Sequence, residues 1–184
     1  MNKLNVLLTG ANGFLGSNLK FFLESKSVNV FTLGRKNCDF NWDFVSPLPD
    51  IEIEVGGFDA VIHLAGATVQ KRWTAKYIKV MHESRVLSTR YLVEAMNNWT
   101  STPKVFMCAS AVGFYGYQVS EDEFDESSEK GTGILASLCQ DWETEVSKFT
   151  GRSVSMRFGV IMDAMGGMLK KILPIYKYGA GGKL

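Results

Sequence analysis

The feature that most constrains this chain is a glycine-rich turn close to its N-terminus. Residues 4–9 form a short, nearly unbroken apolar run, which is typical of a strand buried on both faces of a parallel sheet. Gly10, Gly13 and Gly16 follow at once, each three residues after the last. Apolar residues at helical spacing then occupy 14–24, so the segment predicts a strand, a tight turn and a helix.

The three glycines suit a site for a pyrophosphate group. The missing Cβ permits a sharp turn at Gly10, close approach of a phosphate at Gly13, and tight packing of the helix on the sheet at Gly16. The helix N-terminus then directs free N–H groups at the phosphates. The alternative is an ordinary glycine turn in an α/β protein. The other cofactor contacts predicted in this turn are Asn12, Phe14 and Leu15.

The second predicted strand, residues 28–33, is followed closely by two cations, Arg35 and Lys36. In a dinucleotide-binding fold the end of this strand faces the adenosine ribose, where an acidic residue would accept hydrogen bonds from a 2′-hydroxyl. A guanidinium suits a 2′-phosphate instead, because Arg35 can donate two parallel hydrogen bonds to it and Lys36 adds a second charge. The pair therefore favours NADP over NAD, and the alternative is a solvated basic turn.

Strands and helices alternate along the chain, which predicts an α/β fold: a Rossmann-type, doubly wound parallel sheet with helices on both faces. We expect residues 1–184 to form one NAD(P)-binding domain. Pro174 is expected to kink or divide the last helix. The further strands are predicted at 59–64, 104–110 and 153–158, with a short one within 39–44, and the further helices at 74–97, 133–149 and 168–178.

The strand at 59–64 leads into small residues, at a strand end where a ligand can approach the backbone. Leu64, Ala65 and Gly66 are therefore expected to line the cofactor groove. His63 is expected to be a packed, hydrogen-bonded core residue, because its strand is apolar. Arg85 lies in the apolar face of the helix at 74–97, and its charge is expected to reach solvent.

Composition argues against several kinds of partner. The 184-residue chain has a net charge of +1, so no charge excess directs it to nucleic acid or to an anionic membrane. No apolar run approaches the length of a bilayer span, and the early first strand leaves no room for a signal peptide. Three well-separated cysteines predict reduced thiols in a cytoplasmic protein, and two histidines without ligand spacing predict no metal site.

Five segments together are similar to one protein superfamily. They are TGANGFLG, GR after the second strand, HLAGA, SAVGFYG and RFGV. The chain resembles the extended, atypical branch of the short-chain dehydrogenases/reductases. Within it, the chain resembles the NAD-dependent epimerase/dehydratase-like group, which is also described as SDR39U1-like and, in bacteria, as cell-division inhibitor-like. Segments such as LAGATVQKRWTAKYIKVMHESRV and RFGVIMDAMGGMLKKILP extend the resemblance over nearly the whole chain.

The resemblance implies a longer protein. Members of the group continue past the GGK segment into a smaller portion that covers the substrate cleft, and this sequence lacks that portion. We therefore expect an exposed apolar patch near the C-terminal end, where that portion would pack.

The resemblance also implies a catalytic pattern that this chain departs from. The superfamily uses a serine or threonine with a Tyr-x-x-x-Lys pair, in which the tyrosine is the general acid/base. None of the six tyrosines has a lysine four residues later, and Leu135 and Cys139 fall where the pair would be. Ser110 and Tyr115, on the loop after a strand, are the candidate replacements, and the alternative for Tyr115 is local packing.

Three further side chains of the helix at 133–149 have predicted roles. Cys139 is expected to be a small buried hydrophobe, and Glu143 and Glu145 are expected on the helix surface. The acidic residues 121–129 are expected to form either a solvated loop or a rim over the substrate site.

Two functions of different kinds fit these observations. One is an NADP(H)-dependent enzyme acting on an unknown small carbonyl or nucleotide-sugar-like substrate, by reduction or by epimerisation through transient oxidation. The other is a non-catalytic NADP-binding protein with a regulatory or redox-sensing role, which the missing Tyr-x-x-x-Lys favours. The substrate and the oligomeric state do not follow from the sequence.

Overall fold

The computed structural model describes residues 3–117 and 123–179. This part of the chain contains one six-stranded parallel sheet. Its strands are β1 (Asn5–Thr9), β2 (Asn29–Gly34), β3 (Phe40–Asn41), β4 (Ala60–His63), β5 (Val105–Ala111) and β6 (Arg152–Phe158). They lie in the order β3-β2-β1-β4-β5-β6, and every neighbouring pair is parallel. The order therefore reverses between β1 and β4, which is where open α/β sheets bind ligands.

Six helices accompany the sheet in the described part of the chain. They are α1 (Phe14–Ser25), α2 (Glu52–Val55), α3 (Ala75–His82), α4 (Ser88–Asn98), α5 (Ile134–Val146) and α6 (Leu169–Lys177). A π turn, Glu83–Leu87, joins α3 to α4, and a 3₁₀ turn, Val112–Tyr115, follows β5. The sequence pattern predicted all of these helices except the one-turn α2.

The sheet is covered by helices on both faces, as the sequence predicts. Side chains alternate along β1, so Leu7 packs on one face and Leu8 on the other. The Leu7 face carries the larger core, which includes Phe106 of β5 and Trp142 of α5. The Leu8 face packs against α1 through Leu19. This two-sided burial explains why Val6, Leu7 and Leu8, the three central residues of β1, are all apolar.

The long helix predicted at 74–97 is one helical rod interrupted by a π turn. Thr74 caps it, because its Oγ1 accepts a hydrogen bond of 3.2 Å from the N–H of Tyr77. Pro174 was expected to kink or divide the last helix, and it does not divide it, since α6 runs through it. Proline removes one backbone donor, but Lys170, whose carbonyl loses that partner, is exposed to water.

Exposed apolar side chains gather near the C-terminal end of the described chain, as expected. They include Val160, Met162, Met165, Met168, Ile175 and Tyr178. The segment between β6 and α6, and α6 itself, contact parts of the chain that lie far back in the sequence. Gly166 of the segment is buried against the ring of Phe14. Lys171 Nζ of α6 donates a hydrogen bond to Gln70 Oε1.

The glycine turn brings three backbone segments into direct contact. Gly10 has a φ of +74°, and a Cβ there would lie 2.7 Å from the carbonyl carbon of Leu64. A Cβ on Gly16 would overlap the carbonyl group of Gly10. Two of the three glycines are thus required by close packing between β1, α1 and the chain after β4.

We predict that Gly16→Ala lowers the free energy of unfolding by about 1–3 kcal/mol, because the rigid backbone of Gly10 leaves no room for a methyl group. Urea denaturation followed by circular dichroism measures the change. The control is Gly159→Ala, where a Cβ meets nothing within 4 Å and the expected effect is within about 1 kcal/mol. Equal stabilities of the two variants would contradict the packing argument.

Candidate functional site

The predicted cofactor residues lie around one edge of the sheet, at the carboxyl ends of its central strands. Thr9, the last residue of β1, pairs with Leu33 of β2 on one side and with His63 of β4 on the other. The glycine turn after β1 therefore stands between the Arg35–Lys36 pair and residues 64–67, which we call the β4 loop. The structure places the predicted residues of three loops side by side.

The N-terminus of α1 has features that suit an anion. Gly13 is the N-cap and offers no side-chain hydrogen bond to the first-turn amides, and the first turn contains no acidic residue. Gly13 is also exposed. The free N–H groups of Phe14, Leu15 and Gly16 and the positive end of the helix dipole are therefore left for a ligand such as phosphate.

Asn12 has a structural contact in addition to its predicted role as a cofactor contact, which stays a prediction. Its Nδ2 donates a hydrogen bond of 3.0 Å to the carbonyl of Lys36. This bond ties the glycine turn to the basic loop after β2. Arg35 and Lys36 themselves are exposed, and neither side chain has a hydrogen bond or ion pair with another described residue. Both cations are thus available at the predicted position for a 2′-phosphate.

His63 anchors a buried polar chain at the ends of β1 and β4, and the prediction of a structural role is confirmed. Thr9 Oγ1 accepts hydrogen bonds of 3.2 Å from the N–H groups of both Leu64 and Ala65. Its own proton therefore goes to His63 Nδ1, 2.6 Å away, which makes His63 the Nε2–H tautomer. Nε2 then donates to Ser88 Oγ at 3.3 Å. Burial lowers the pKa of His63 from 6.5 to about 3, so the ring is neutral.

The expectation that Arg85 reaches solvent was wrong. Its guanidinium is half-buried and turned towards the β4 loop, where Nη2 donates a hydrogen bond of 2.9 Å to the carbonyl of Ala67. The charge also lies 5.3 Å from the ring centre of Trp142. The π turn carries Arg85, and such bulges displace side chains from the positions of a regular helix.

A second polar network joins the ends of β5 and β6 to α5. Ser110 Oγ donates a hydrogen bond of 2.5 Å to Glu143 Oε1. Arg157 binds the same carboxylate with two hydrogen bonds, Nε to Oε1 at 3.0 Å and Nη2 to Oε2 at 2.8 Å. Both charged side chains are largely buried, with exposed fractions of 16% for Glu143 and 18% for Arg157. The network fixes the relative position of three elements beside the groove.

The expectation that Glu143 and Glu145 lie on the helix surface was wrong for both. Glu145 is 4% exposed and receives hydrogen bonds of 2.8 Å from Arg90 and Lys148. Glu143 lies four residues after the buried Cys139, on the same face of α5. That spacing is the sequence signal that would have predicted burial of Glu143.

The structure brings the two catalytic candidates, Ser110 and Tyr115, into one network. Arg157 Nη1 donates to the hydroxyl of Tyr115 at 2.8 Å, and that hydroxyl donates to the carbonyl of Asp125 at 2.7 Å. The Tyr115 ring also stacks on Phe124. Ser110 is 4% exposed and its proton is directed at Glu143. Both hydroxyl protons are engaged within the fold, and the catalytic role of either residue stays a prediction.

The two positions that replace the tyrosine and lysine lie beside this network. Cys139 is 4% exposed, and its burial raises the pKa of the thiol, so the prediction of a small buried hydrophobe is confirmed. A Cβ on Gly113 would contact Leu135 at 3.4 Å, so Leu135 packs against the 3₁₀ turn. Of the acidic segment predicted at 121–129, Glu121 and Asp122 lie outside the described residues.

Sequence reasoning missed the hydrogen bonds of Arg157 to Glu143, and those of Ser84, Arg85 and Ser88 to the β4 loop and to His63. A signal existed for each. Arg157 is a cation within an otherwise uncharged strand interior, and the other three are polar residues on the apolar face of a helix. Their partners could not be predicted, because they lie on elements distant in sequence.

Comparison with known proteins identifies the family. A model of the NAD dependent epimerase/dehydratase family matches residues 6–133. The chain belongs to the NAD dependent epimerase/dehydratase family. An epimerase family protein of Staphylococcus haemolyticus is 32% identical to this chain. The alignment is 192 positions long and covers 97% of this chain and 62% of that protein.

Two solved structures of similar proteins support the same conclusion. The nucleoside-diphosphate sugar epimerase of Corynebacterium glutamicum has a TM-score of 0.85 and 32% identity, covering 100% of this chain and 39% of that one. Human epimerase family protein SDR39U1 (isoform 2), solved with NADPH, has a TM-score of 0.83 and 28% identity, covering 97% of this chain and 61% of that one. The predicted epimerase/dehydratase resemblance and Rossmann-type fold are confirmed.

The chain spans about three fifths of the length of the epimerase family relatives that it matches, or less. No helix among residues 3–117 and 123–179 is both long enough and apolar enough to cross a bilayer. The cytoplasmic location stays a prediction.

The neutral, buried His63 predicts a pH dependence of stability. Its folded pKa lies below its unfolded value of 6.5, so the unfolded chain takes up the proton first as the pH falls. The contribution of the neutral His63 ring to the free energy of unfolding is therefore fully present above about pH 6.5, and it is lost as the pH falls towards 3. Between pH 7.5 and 5.5 we expect His63 to cost about 1.4 kcal/mol, measured as the extra loss in wild type relative to His63→Gln. An NMR titration of the folded wild type is the second measurement, and a His63 ring that titrates near pH 6.5 would refute the assignment.

The largely buried Glu143–Arg157 ion pair predicts that the isosteric substitution Glu143→Gln strongly lowers the free energy of unfolding. Glu143→Gln removes the charge that pairs with a largely buried guanidinium, and we expect a loss of roughly 2–3 kcal/mol in the free energy of unfolding after allowing for partial exposure. Glu83→Gln is the matched control, because its ion pair with Lys79 is an exposed i,i+4 contact and is expected to contribute about 0.5 kcal/mol or less. Comparable losses in the two variants, measured by urea denaturation, would show that the pair is not a structural link.

Proposed function

We propose that this chain binds NADPH along the carboxyl edge of its sheet and belongs to an oxidoreductase or epimerase of the atypical short-chain dehydrogenase/reductase type. The observation that carries the proposal is the arrangement at the end of β2. Arg35 and Lys36 are exposed and unpaired among the described residues, and Asn12 ties their loop to the uncapped N-terminus of α1. The open N-terminus of α1 and the two unpaired cations thus belong to two loops that a hydrogen bond joins, an arrangement that supports the proposal.

The residues present fit the chemical groups of NADPH. The pyrophosphate would lie at the first-turn amides of α1, where Gly13 has no side chain to block it. The 2′-phosphate would receive a bidentate contact from Arg35 and a second charge from Lys36. Leu64, Ala65 and Gly66 would line the groove beyond the glycine turn. The human relative solved with NADPH supports this choice of cofactor.

The reaction proposed is hydride transfer at a small carbonyl or at a nucleotide-sugar-like substrate, by net reduction or by epimerisation through transient oxidation. The Corynebacterium relative described as a nucleoside-diphosphate sugar epimerase supports the second form. The nicotinamide supplies the hydride chemistry when it is bound, and the protein binds and orients it. Tyr115 and Ser110 are the proposed proton-transfer residues of this chain, and each would first have to exchange its present hydrogen bond.

A non-catalytic, regulatory NADPH-binding role is the second candidate. It is favoured by one observation: the protons of Ser110 and Tyr115 are already directed at Glu143 and at the carbonyl of Asp125. Oxidation of bound NADPH by a broad panel of carbonyl compounds and nucleotide sugars separates the two roles. Turnover of any of these supports the enzyme, and unchanged turnover in Tyr115→Phe would then remove Tyr115 as the acid.

The cofactor proposal predicts that the chain binds NADPH more tightly than NADH, and that Arg35→Ala removes most of the difference. Loss of a charge-assisted phosphate contact is worth roughly 1.5–3 kcal/mol, or about ten- to a hundredfold in Kd. Titration of the intrinsic tryptophan fluorescence measures both affinities.

Arg152→Ala is the matched control for this titration. Arg152 is also exposed, but it begins β6 and therefore lies at the opposite, amino edge of the sheet. We expect its loss to leave both affinities unchanged. Equal binding of NADPH and NADH, or an equal effect of the two substitutions, would contradict the assignment of Arg35.

A further inference from the structure

We propose that Ser84 and Arg85 are positioning residues that hold the β4 loop in the shape required for NADPH, an inference that rests on the cofactor function proposed above. Both belong to the π turn between α3 and α4, behind the loop. They act on the cofactor through the backbone of Ala67.

The two side chains hold both polar backbone groups of one residue. The N–H of Ala67 donates a hydrogen bond of 3.0 Å to Ser84 Oγ. The carbonyl of Ala67 accepts one of 2.9 Å from Arg85 Nη2. Since the peptide groups on either side of Ala67 are both fixed, this residue has little freedom to rotate about its backbone bonds.

The clamp is itself anchored in the helix. Ser84 Oγ donates its proton to the carbonyl of Met81 at 3.1 Å, so its oxygen is left to accept from Ala67. Arg85 Nη1 donates to the same carbonyl at 3.3 Å. Adjacent residues of a regular α-helix point in different directions. Ser84 and Arg85 are adjacent and both contact Ala67, and both lie in the π turn, which departs from regular helix geometry.

The environment of Arg85 indicates that its guanidinium serves the hydrogen bond to the carbonyl of Ala67. The half-buried guanidinium has no carboxylate partner among the described residues, and it packs beside Trp142 and beneath Gly66. A Cβ on Gly66 would lie 3.1 Å from Arg85 Cζ, so the backbone of the loop and the guanidinium are in close contact at this point. Placing an arginine without an acid partner inside a fold is costly, which argues for a specific use of its hydrogen bonds.

The clamp and the His63 chain together leave a defined part of the β4 loop free. Thr9 occupies the N–H groups of Leu64 and Ala65, and the π turn occupies Ala67. Within the described residues, the N–H and carbonyl of Gly66 have no hydrogen-bond partner. The loop therefore presents Gly66 to the groove while the residues around it are held from below.

The test combines amide hydrogen exchange of the unliganded chain with NADPH titration. In Ser84→Ala and in Arg85→Met, we expect the Ala67 amide to exchange about tenfold faster or more, and the Kd for NADPH to rise about tenfold. Arg85→Lys retains one donor and is expected to lie between wild type and Arg85→Met.

Lys79→Met is the control, because Lys79 is an exposed cation of α3 whose ion pair is with Glu83 and not with a residue of the β4 loop. It should change neither readout. Thermal unfolding of each variant identifies any that fails to fold, and Ser84→Ala tests the clamp without removing a charge.

The outcomes separate the clamp from the cofactor proposal. If wild type binds NADPH and the Ser84 and Arg85 variants bind it equally well, the positioning role is refuted and the proposed function stands. Unchanged exchange of the Ala67 amide in both variants would also refute the clamp. If the folded wild type does not bind NADPH, the proposed function fails, and the positioning role for that cofactor fails with it.

Discussion

The close approach of three backbone segments at Gly10 is the constraint on which the rest of the structure depends. Gly10 and Gly16 have no side chains, so β1, α1 and the β4 loop meet at van der Waals distance. This contact sets the position of the α1 N-terminus relative to the reversal of strand order between β1 and β4. It also keeps the first-turn amides facing the edge where Arg35 and the β4 loop lie.

The loops around that edge are held by buried polar side chains instead of by apolar packing alone. Thr9, His63 and Ser88 fix the first half of the β4 loop, and Ser84 with Arg85 fixes its end. Hydrogen bonds are directional, so they fix the orientation of a loop backbone in a way that apolar contacts do not. A groove that binds a ligand through backbone groups needs this kind of support.

The Glu143–Arg157 pair has a similar effect at the ends of β5 and β6. It holds Ser110 through its hydroxyl and Tyr115 through the guanidinium. Sequence reasoning placed both hydroxyls beside the groove but took Glu143 for a surface residue. The spacing of Glu143 from Cys139 shows that Glu143 occupies the inner face of α5. It does not show that Arg157 of β6 lies opposite that face and pairs with the carboxylate.

The sequence by itself determined the fold class, the strands and main helices, and the tight glycine turn between the first strand and the first helix. These follow from local patterns: apolar runs, helical periodicity, glycine spacing and a cation pair at a strand end. Tertiary structure alone decided the inward course of Arg85, the pairing of Glu143 with Arg157 and the bonded state of Tyr115. Each depends on a partner that is distant in sequence, 18 residues away for Ala67 and Arg85 and 42 for Tyr115 and Arg157. Only the packing of helices against the sheet brings such partners together.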